Sequence, residues 1–280
     1  MKNKNYVIKN GTLSFGSVSY EVFEQTLRQI KSSIYKRNKI KNICLPDFVT
    51  GISPIIEIIN EFPKLENILV DDKNKYVTSI DGILYSKNKG MLLYYPKNRK
   101  EEEYVVCYGI KTIGPYAFYN NKYLKTVIIA DSVTEINKRA FFDCESLEKV
   151  FLSQKLISID DHVFSDCENI TKIDIPDTVT TIGGGTFSGC INLVQVKLPE
   201  GISVINDYTF ARCEMLTEIV LPNNLEYVGH NAFVLSNLKD VTFNKKLGSF
   251  AESAFYDNLE VIRCTQQQAK QLHNFAKKEI

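Results

Sequence analysis

Residues 170–193 read ITKIDIPDTVTTIGGGTFSGCINL. Ile173 and Ile175 alternate across Asp174, the period of a short strand, and Pro176 ends it because proline cannot donate to a sheet ladder. Val179 and Ile182 turn inward, and Gly183 opens a turn. Phe187 and Cys190 then plug the interior from a short helical stretch before Leu193 opens the next strand. One such unit cannot bury all its apolar side chains alone. A stack of them can, which predicts a continuous parallel sheet over a continuous core.

The unit recurs. Phe118, Phe141, Phe164, Phe187, Phe210 and Phe233 follow at a constant step of 23 residues (141 − 118, 164 − 141, onward), and Phe255 comes 22 after the last. The text around the rungs repeats as YAFYNNKYL, RAFFDCESL, HVFSDCENI, GTFSGCINL and YTFARCEML. A fixed period in the range of about 20–50 residues marks a solenoid and outranks any local reading. Eight or nine strands at about 4.8 Å each give a sheet about 40 Å long.

The flanks differ from the array. Within residues 1–39, NYVIKNGTLSF alternates around Asn10-Gly11, a hairpin signal. Ser19 can cap a helix running to about Tyr35, with Phe23, Leu27, Ile30 and Ile34 on one face. This hairpin and helix are the expected N-terminal cap of an otherwise open array. Residues 40–264 are the expected solenoid. It begins with a degenerate repeat (Ile40, Ile43, Leu45, Val49, Ile52) and is broken at about 71–100, where GILYS and GMLLYY read as an inserted hairpin. Residues 265–280 read as a closing helix with Ala269, Leu272, Phe275 and Ala276 inward.

A net charge of +1 and a pI near 7.5 argue against a polyanion binder overall. Residues 1–41 are the exception: Lys2, Lys4, Lys9, Arg28, Lys31, Lys36, Arg37, Lys39 and Lys41 face only Glu21 and Glu24. Basic clusters draw nucleic acid or anionic surfaces, although a solvated helix face is the plainer reading. No apolar run is long enough to span a bilayer. The basic start lacks an apolar core, so no secretory signal is read there.

Of seven cysteines, Cys144, Cys167, Cys190 and Cys213 each sit three residues after a rung phenylalanine. An odd count without CxxC pairs argues against disulfides or zinc. The expectation is a column of buried thiols acting as small fillers. Free thiols fit a reducing, cytoplasmic compartment.

The pattern LxxVxLPxxVxxIGxxAFxxCxx, carried by residues 170–192 and by LVQVKLPEGISVINDYTFARCEM at 193–215, resembles the BspA-like (Treponema-type) leucine-rich repeats. The likeness covers about 40–70 and 101–264. It implies a right-handed α/β leucine-rich-repeat solenoid, a horseshoe with a parallel concave sheet capped by N- and C-terminal helices. It also implies binding of a protein or surface partner, allows a cell-surface location, and carries no catalytic residues or cofactor.

On such a sheet the residues between the inward ones face outward. They form two columns: Thr126, Lys149, Lys172, Gln195, Glu218, Asp240, Val261, and Ile128, Phe151, Asp174, Lys197, Val220, Thr242, Arg263. The face reads basic and apolar at its start and acidic toward its end. It is the expected docking surface for a protein, with the basic N-terminal helix as the alternative site for an anionic polymer or membrane surface. Enzyme signals are weak. Gly183-Gly184-Gly185 lacks the Lys-Ser/Thr of a phosphate loop. His162, His230 and His273 fall at different repeat phases, and Asp71-Asp72 and Asp160-Asp161 read as turn residues.

Overall fold

The structure, a computed structural model, describes residues 5–51, 55–242, 247–251, 253–255 and 261–263. It opens with an antiparallel hairpin of β1 (Tyr6–Lys9) and β2 (Thr12–Phe15). Asn10 and Gly11 supply its two left-handed turn residues, with φ of 51° and 78°. Ser19 caps α1 (Tyr20–Ser32) by accepting from the Val22 N–H at 3.4 Å. Phe23, Leu27 and Ile30 are buried. Ile34 is not: the chain is extended at Ser33, so the short α2 (Ile34–Arg37) starts anew and leaves Ile34 66 % exposed. β3 (Asn42–Leu45), α3 (Ile56–Ile59) and β4 (Asn67–Val70) follow. β2, β3 and β4 run parallel, joined by crossovers through α1–α2 and through α3.

Next comes an antiparallel meander of β5 (Val77–Ile80), β6 (Ile83–Ser86) and β7 (Met91–Tyr94). Its two faces serve different interiors. Val77, Leu84 and Tyr94 pack with the N-terminal core, while Ile83, Tyr85, Leu92 and Tyr95 pack with the core of the array. The continuous core predicted from the repeats is therefore two cores with the meander between them. Period-two alternation places neighbouring side chains on opposite faces, and here both faces are buried.

From residue 103 each coil contributes two strands. The longer ones are β8 (Glu103–Val106), β10 (Thr126–Ile129), β12 (Lys149–Phe151), β14 (Lys172–Asp174), β16 (Gln195–Lys197), β18 (Glu218–Val220), β20 (Asp240–Thr242) and β22 (Val261–Arg263). Between them lie two-residue strands: β9 (Thr112–Ile113), β11 (Glu135–Ile136), β13 (Ser158–Ile159), β15 (Thr181–Ile182), β17 (Val204–Ile205), β19 (Tyr227–Val228) and β21 (Ser249–Phe250). The even strands form a front sheet in parallel register, hydrogen-bonded in the groups β8-β10-β12, β14-β16 and β18-β20-β22. The odd strands run parallel along a second side, hydrogen-bonded in the groups β9-β11-β13-β15 and β17-β19-β21, and the first group continues through β9 onto β7. The result is a β-solenoid of about nine coils.

The third side carries the rung phenylalanines, and it is built from turns, not from the short helical stretch expected there. The residues two before and two after each rung from Phe118 to Phe233 have positive φ, as in Arg139 and Asp143 (56°, 60°) or Tyr208 and Arg212 (58°, 58°). Alternating handedness aims every second N–H group along the solenoid axis, while those between bond within their own coil, as Ala117 to Gly114 O and Tyr119 to Tyr116 O. Phe118 N–H donates to Ala140 O at 2.7 Å, Phe141 to Val163 O at 2.9 Å, Phe164 to Thr186 O at 2.9 Å and Phe187 to Thr209 O at 2.9 Å. A helix would consume these donors within one coil, whereas these turns hand them to the next. The rings stack in one column headed by Tyr95. Centroid spacings are 4.6 Å for Phe118–Phe141, 5.8 Å for Phe164–Phe187 and 5.2 Å for Phe233–Phe255. The predicted closing helix and Cys264 lie outside the described residues.

Candidate interaction surface

The strand register brings the outward residues into rows across the front sheet. Glu103, Thr126 and Lys149 are cross-strand partners, and so are Val105, Ile128 and Phe151. Lys172 pairs with Gln195, and Asp174 with Lys197. Glu218 pairs with Asp240, and Val220 with Thr242. Val127, Val150, Ile173, Val196 and Ile219 point inward and are buried. That leaves Val105, Phe151 and Val220 exposed on the other face, at 47 %, 55 % and 83 %. Ile128 is half-buried between Val105 and Phe151. Three apolar side chains thus stand in line on three adjacent strands. Val105 extends the row beyond the residues singled out from the sequence. It lies one 23-residue step before Ile128 (128 − 105), and the alternation of Glu103-Tyr104-Val105-Val106 carried the signal.

The charges are partly paired. Lys172 reaches Asp174 on its own strand at 3.4 Å, and Lys197 reaches Asp177 at 3.3 Å. Lys149 has no ion pair among the described residues. The like charges Lys149 and Lys172 flank a break in regular pairing between β12 and β14. Like charges side by side on a sheet are unfavourable, but pairing breaks as well between β16 and β18.

The basic N-terminal residues are largely engaged. Arg28 meets Glu24 at 2.7 Å, Lys31 and Arg37 approach Glu61 at 3.8 and 4.0 Å, and Lys41 approaches Glu66 at 3.6 Å. Lys36 Nζ donates to Tyr6 Oη at 2.9 Å. Such exposed pairs add little stability, but they neutralise the local field that an anion would feel.

The residues weighed for chemistry have structural roles. The thiols of Cys144, Cys167, Cys190 and Cys213 each donate to the carbonyl of a rung phenylalanine one coil back, at 3.0, 3.0, 3.1 and 3.2 Å. Burial pushes the Cys167, Cys190 and Cys213 thiols well above the ordinary thiol range, which keeps them un-ionised and unreactive. Gly185 has a positive φ of 62°, and the His162 ring lies where its Cβ would be, at 2.4 Å. Asp161 accepts from Gly184 N–H and pairs with Lys138, both across coils. Burial also lowers the His162 pKa. No group of residues suited to hold a metal ion occurs among the described residues, and no described helix is long and apolar enough to cross a membrane.

Comparison with known proteins agrees with this geometry. A model of the BspA type leucine rich repeat region matches in six copies over residues 97–214 and 143–262. A leucine-rich repeat protein from Eubacterium ventriosum is similar at 25 % identity and a TM-score of 0.56, over 70 % of this chain and 59 % of that one. A leucine rich cell surface protein from Faecalibacterium prausnitzii is similar at 27 % identity and a TM-score of 0.56, over 63 % of this chain and 46 % of that one. The pneumococcal vaccine antigen PcpA shares the fold, with a TM-score of 0.61 and 22 % identity over 84 % of this chain and 53 % of that one. This chain spans less than two thirds of the length of each. No curated protein matches it significantly. With its repeats matched over more than half its length, and its coils stacked through the phenylalanine and cysteine columns that define the repeat, the chain belongs to the BspA-type leucine-rich-repeat family.

Proposed function

We propose that the chain is a non-catalytic interaction module that holds a partner protein against the outward face of its front sheet. The observation that carries this reading is the row Val105–Ile128–Phe151. A phenylalanine 55 % exposed, in line with two aliphatic residues on a face that folding does not use, is the composition of an interface centre. Thr126, Lys149, Lys172 and Gln195 form the polar surround of that centre. Asp174, Lys197, Glu218 and Val220 extend the surface along the array, with Asp240 and Thr242 on the next strand. Lys149 is the charge best able to meet an acidic group on the partner. The similarity to a protein described as a leucine rich cell surface protein supports a surface-associated role.

The competing site on the basic N-terminal helix is disfavoured by the ion pairs of Arg28, Lys31 and Arg37 with Glu24 and Glu61. The test uses a photocrosslinking residue at position 151, with position 35 on the helix as control. Crosslinking to a discrete protein from 151 and not from 35 is the expected result. Phe151→Ala with Lys149→Glu should then abolish capture and leave the melting midpoint nearly unchanged. Capture that survives this pair of substitutions and is lost on Lys31→Glu with Lys36→Glu would move the site to the helix.

A further inference from the structure

Away from the front-sheet row, the N-terminal unit has a feature of its own. The segments leaving the carboxyl ends of β2, β3 and β4 enclose a cleft of about 570 Å³. A crevice outside the carboxyl ends of parallel strands is where open sheets with crossover helices take ligands, and its volume lies in the usual range for small-molecule sites. Part of the lining is apolar: Phe15 ends β2, Val18 follows it, and Phe48 follows β3. Phe15 and Phe48 are both held edge-on against the buried Phe23, at 4.7 and 5.9 Å. Asp47 and Asp71, both exposed, bring two carboxylates to the same lining. Asp71 Oδ1 accepts the Lys73 N–H at 2.9 Å. Neither acid has an ion-pair partner among the described residues, although Glu24, Glu61 and Glu66 of the same unit all do. Lys73 is the one cation in the lining. The Cys44 thiol, also in the lining, has its pKa raised by burial first and then by the charges of Asp71 and Asp72. A negative field beside aromatic faces suits a cation with an apolar stem.

We propose that this cleft binds an alkylammonium group, with Asp47 and Asp71 holding the ammonium and Phe15 and Phe48 covering its methylene stem. Such a group is carried by a lysine side chain of a peptide or by a free polyamine.

Cys44 makes the proposal measurable. In a Cys107→Ser, Cys264→Ser background, thiol modification is followed with methanethiosulfonates bearing either an ethylammonium or an ethylsulfonate. The thiolate displaces methanesulfinate from either reagent and forms the mixed disulfide. The ratio of the two rates cancels the raised thiol pKa. Normalised to the same protein unfolded in urea, the cationic reagent should be favoured at least about tenfold. Asp47→Asn with Asp71→Asn, near-isosteric and able to keep the turn at Lys73, should return the ratio to about one. Acetyl-lysine-methylamide or spermidine should protect Cys44 saturably, and acetyl-norleucine-methylamide should not. Protection by the lysine amide alone assigns the site to a peptide, by spermidine alone to a free polyamine, and by both to the shared ammonium. Titration of unsubstituted protein with the same probes should shift the Phe15 and Phe48 ring resonances, a readout independent of every substitution. A sulfonate reagent that reacts as fast, protection by norleucine equal to that by lysine, or protection by neither amine would overturn the proposal. None of these outcomes bears on the front-sheet row, which the crosslinking experiment tests separately.

Discussion

Phe187→Ala removes the middle of the aromatic column. Phe187 is fully buried and stacks on Phe164 at 5.8 Å and on Phe210 at 5.5 Å, with interplanar angles of 8° and 10°. Truncating a buried phenylalanine costs about 3–5 kcal/mol. Each aromatic pair adds about 0.5–1.5 kcal/mol beyond burial, so the loss of two should place this site at the upper end, about 4–5 kcal/mol. Phe187→Leu keeps most of the apolar volume and loses only the stacking, about 1–3 kcal/mol. Coils touch only their neighbours, so the damage should be graded along the array and not uniform. Native-state hydrogen exchange resolves this. The amide of Phe187, bonded to Thr209 O, and that of Phe164, bonded to Thr186 O, should lose protection first. The Phe118 amide, three coils away, should keep most of its own. A total loss inside the range of about 0.5 kcal/mol that surface substitutions show would refute the column as the organising core. Equal loss at Phe118 and Phe187 would refute the nearest-neighbour account.

Three further outcomes follow from the same geometry. The thiols of Cys144, Cys167, Cys190 and Cys213 should resist alkylation in native protein and react fully in denaturant, and rapid native labelling would contradict their burial. Stability should fall in alkali: burial raises the Cys167, Cys190 and Cys213 thiols and the Tyr104 phenol, and pushes Tyr95 up to about 12. Groups raised on folding stabilise fully below their unfolded values, about 8.5 for thiols and 10 for phenols, and that stability drains as pH climbs past them. Urea midpoints that stay flat from pH 8 to 11 would oppose this. Leu235 sits at φ 55° with its side chain 57 % exposed, so Leu235→Asn should stabilise by up to about 1 kcal/mol through relief of left-handed strain. A lower urea midpoint would show that the leucine contributes packing that outweighs the strain.

The phenylalanine and cysteine columns and the outward rows of the front sheet were legible from spacing alone, because one residue type in one phase fixes what stacks on what. The second side was not. Its strands are two residues long, too short for any alternation, so Thr181-Ile182 reads as an inward turn. The turns of the third side left a partial mark: the position two after the rung is Asn120, Asp143, Asp166 and Gly189 in four successive coils, residue types that tolerate positive φ. Arg212 and Leu235 at the same position hide the rule. The meander was legible as strands but not as a wall between two cores, since alternation does not say whether the second face meets water or another core. Nor could spacing reveal that Lys172 leans onto Asp174, which takes one of the candidate anchors out of free charge.

Ser236 isolates why the repeat favours cysteine. It occupies the position three after Phe233, the phase of the four column thiols, and it is buried at 7 % exposure. Each of those thiols reaches a phenylalanine carbonyl 26 residues back. The equivalent acceptor for Ser236 is Phe210 O (236 − 26). The Ser236 hydroxyl makes no hydrogen bond among the described residues. A carbon–oxygen bond is shorter than a carbon–sulfur bond, which is the physical reason we assign to a hydroxyl lacking, at this phase, the bond that a thiol makes. A buried unpaired hydroxyl costs about 1–3 kcal/mol, whereas a thiol is a weak hydrogen-bonder that behaves as a small apolar group. Asn121, at the same phase in the first regular coil, meets only part of the need: its side-chain oxygen accepts from Tyr123 and Leu124 N–H, while its Nδ2 has no partner among the described residues. Ser236→Cys should therefore stabilise the array by about 1 kcal/mol, read as a rise in the urea midpoint and slower exchange at the Phe233 amide. Ser236→Ala, which removes the unpaired hydroxyl without adding a donor, should recover part of the gain. If the alanine variant gains as much as the cysteine, the thiol-to-carbonyl contact contributes nothing and the column is filler alone. If both lose stability, the serine has a partner, and the cysteine column follows from something other than reach.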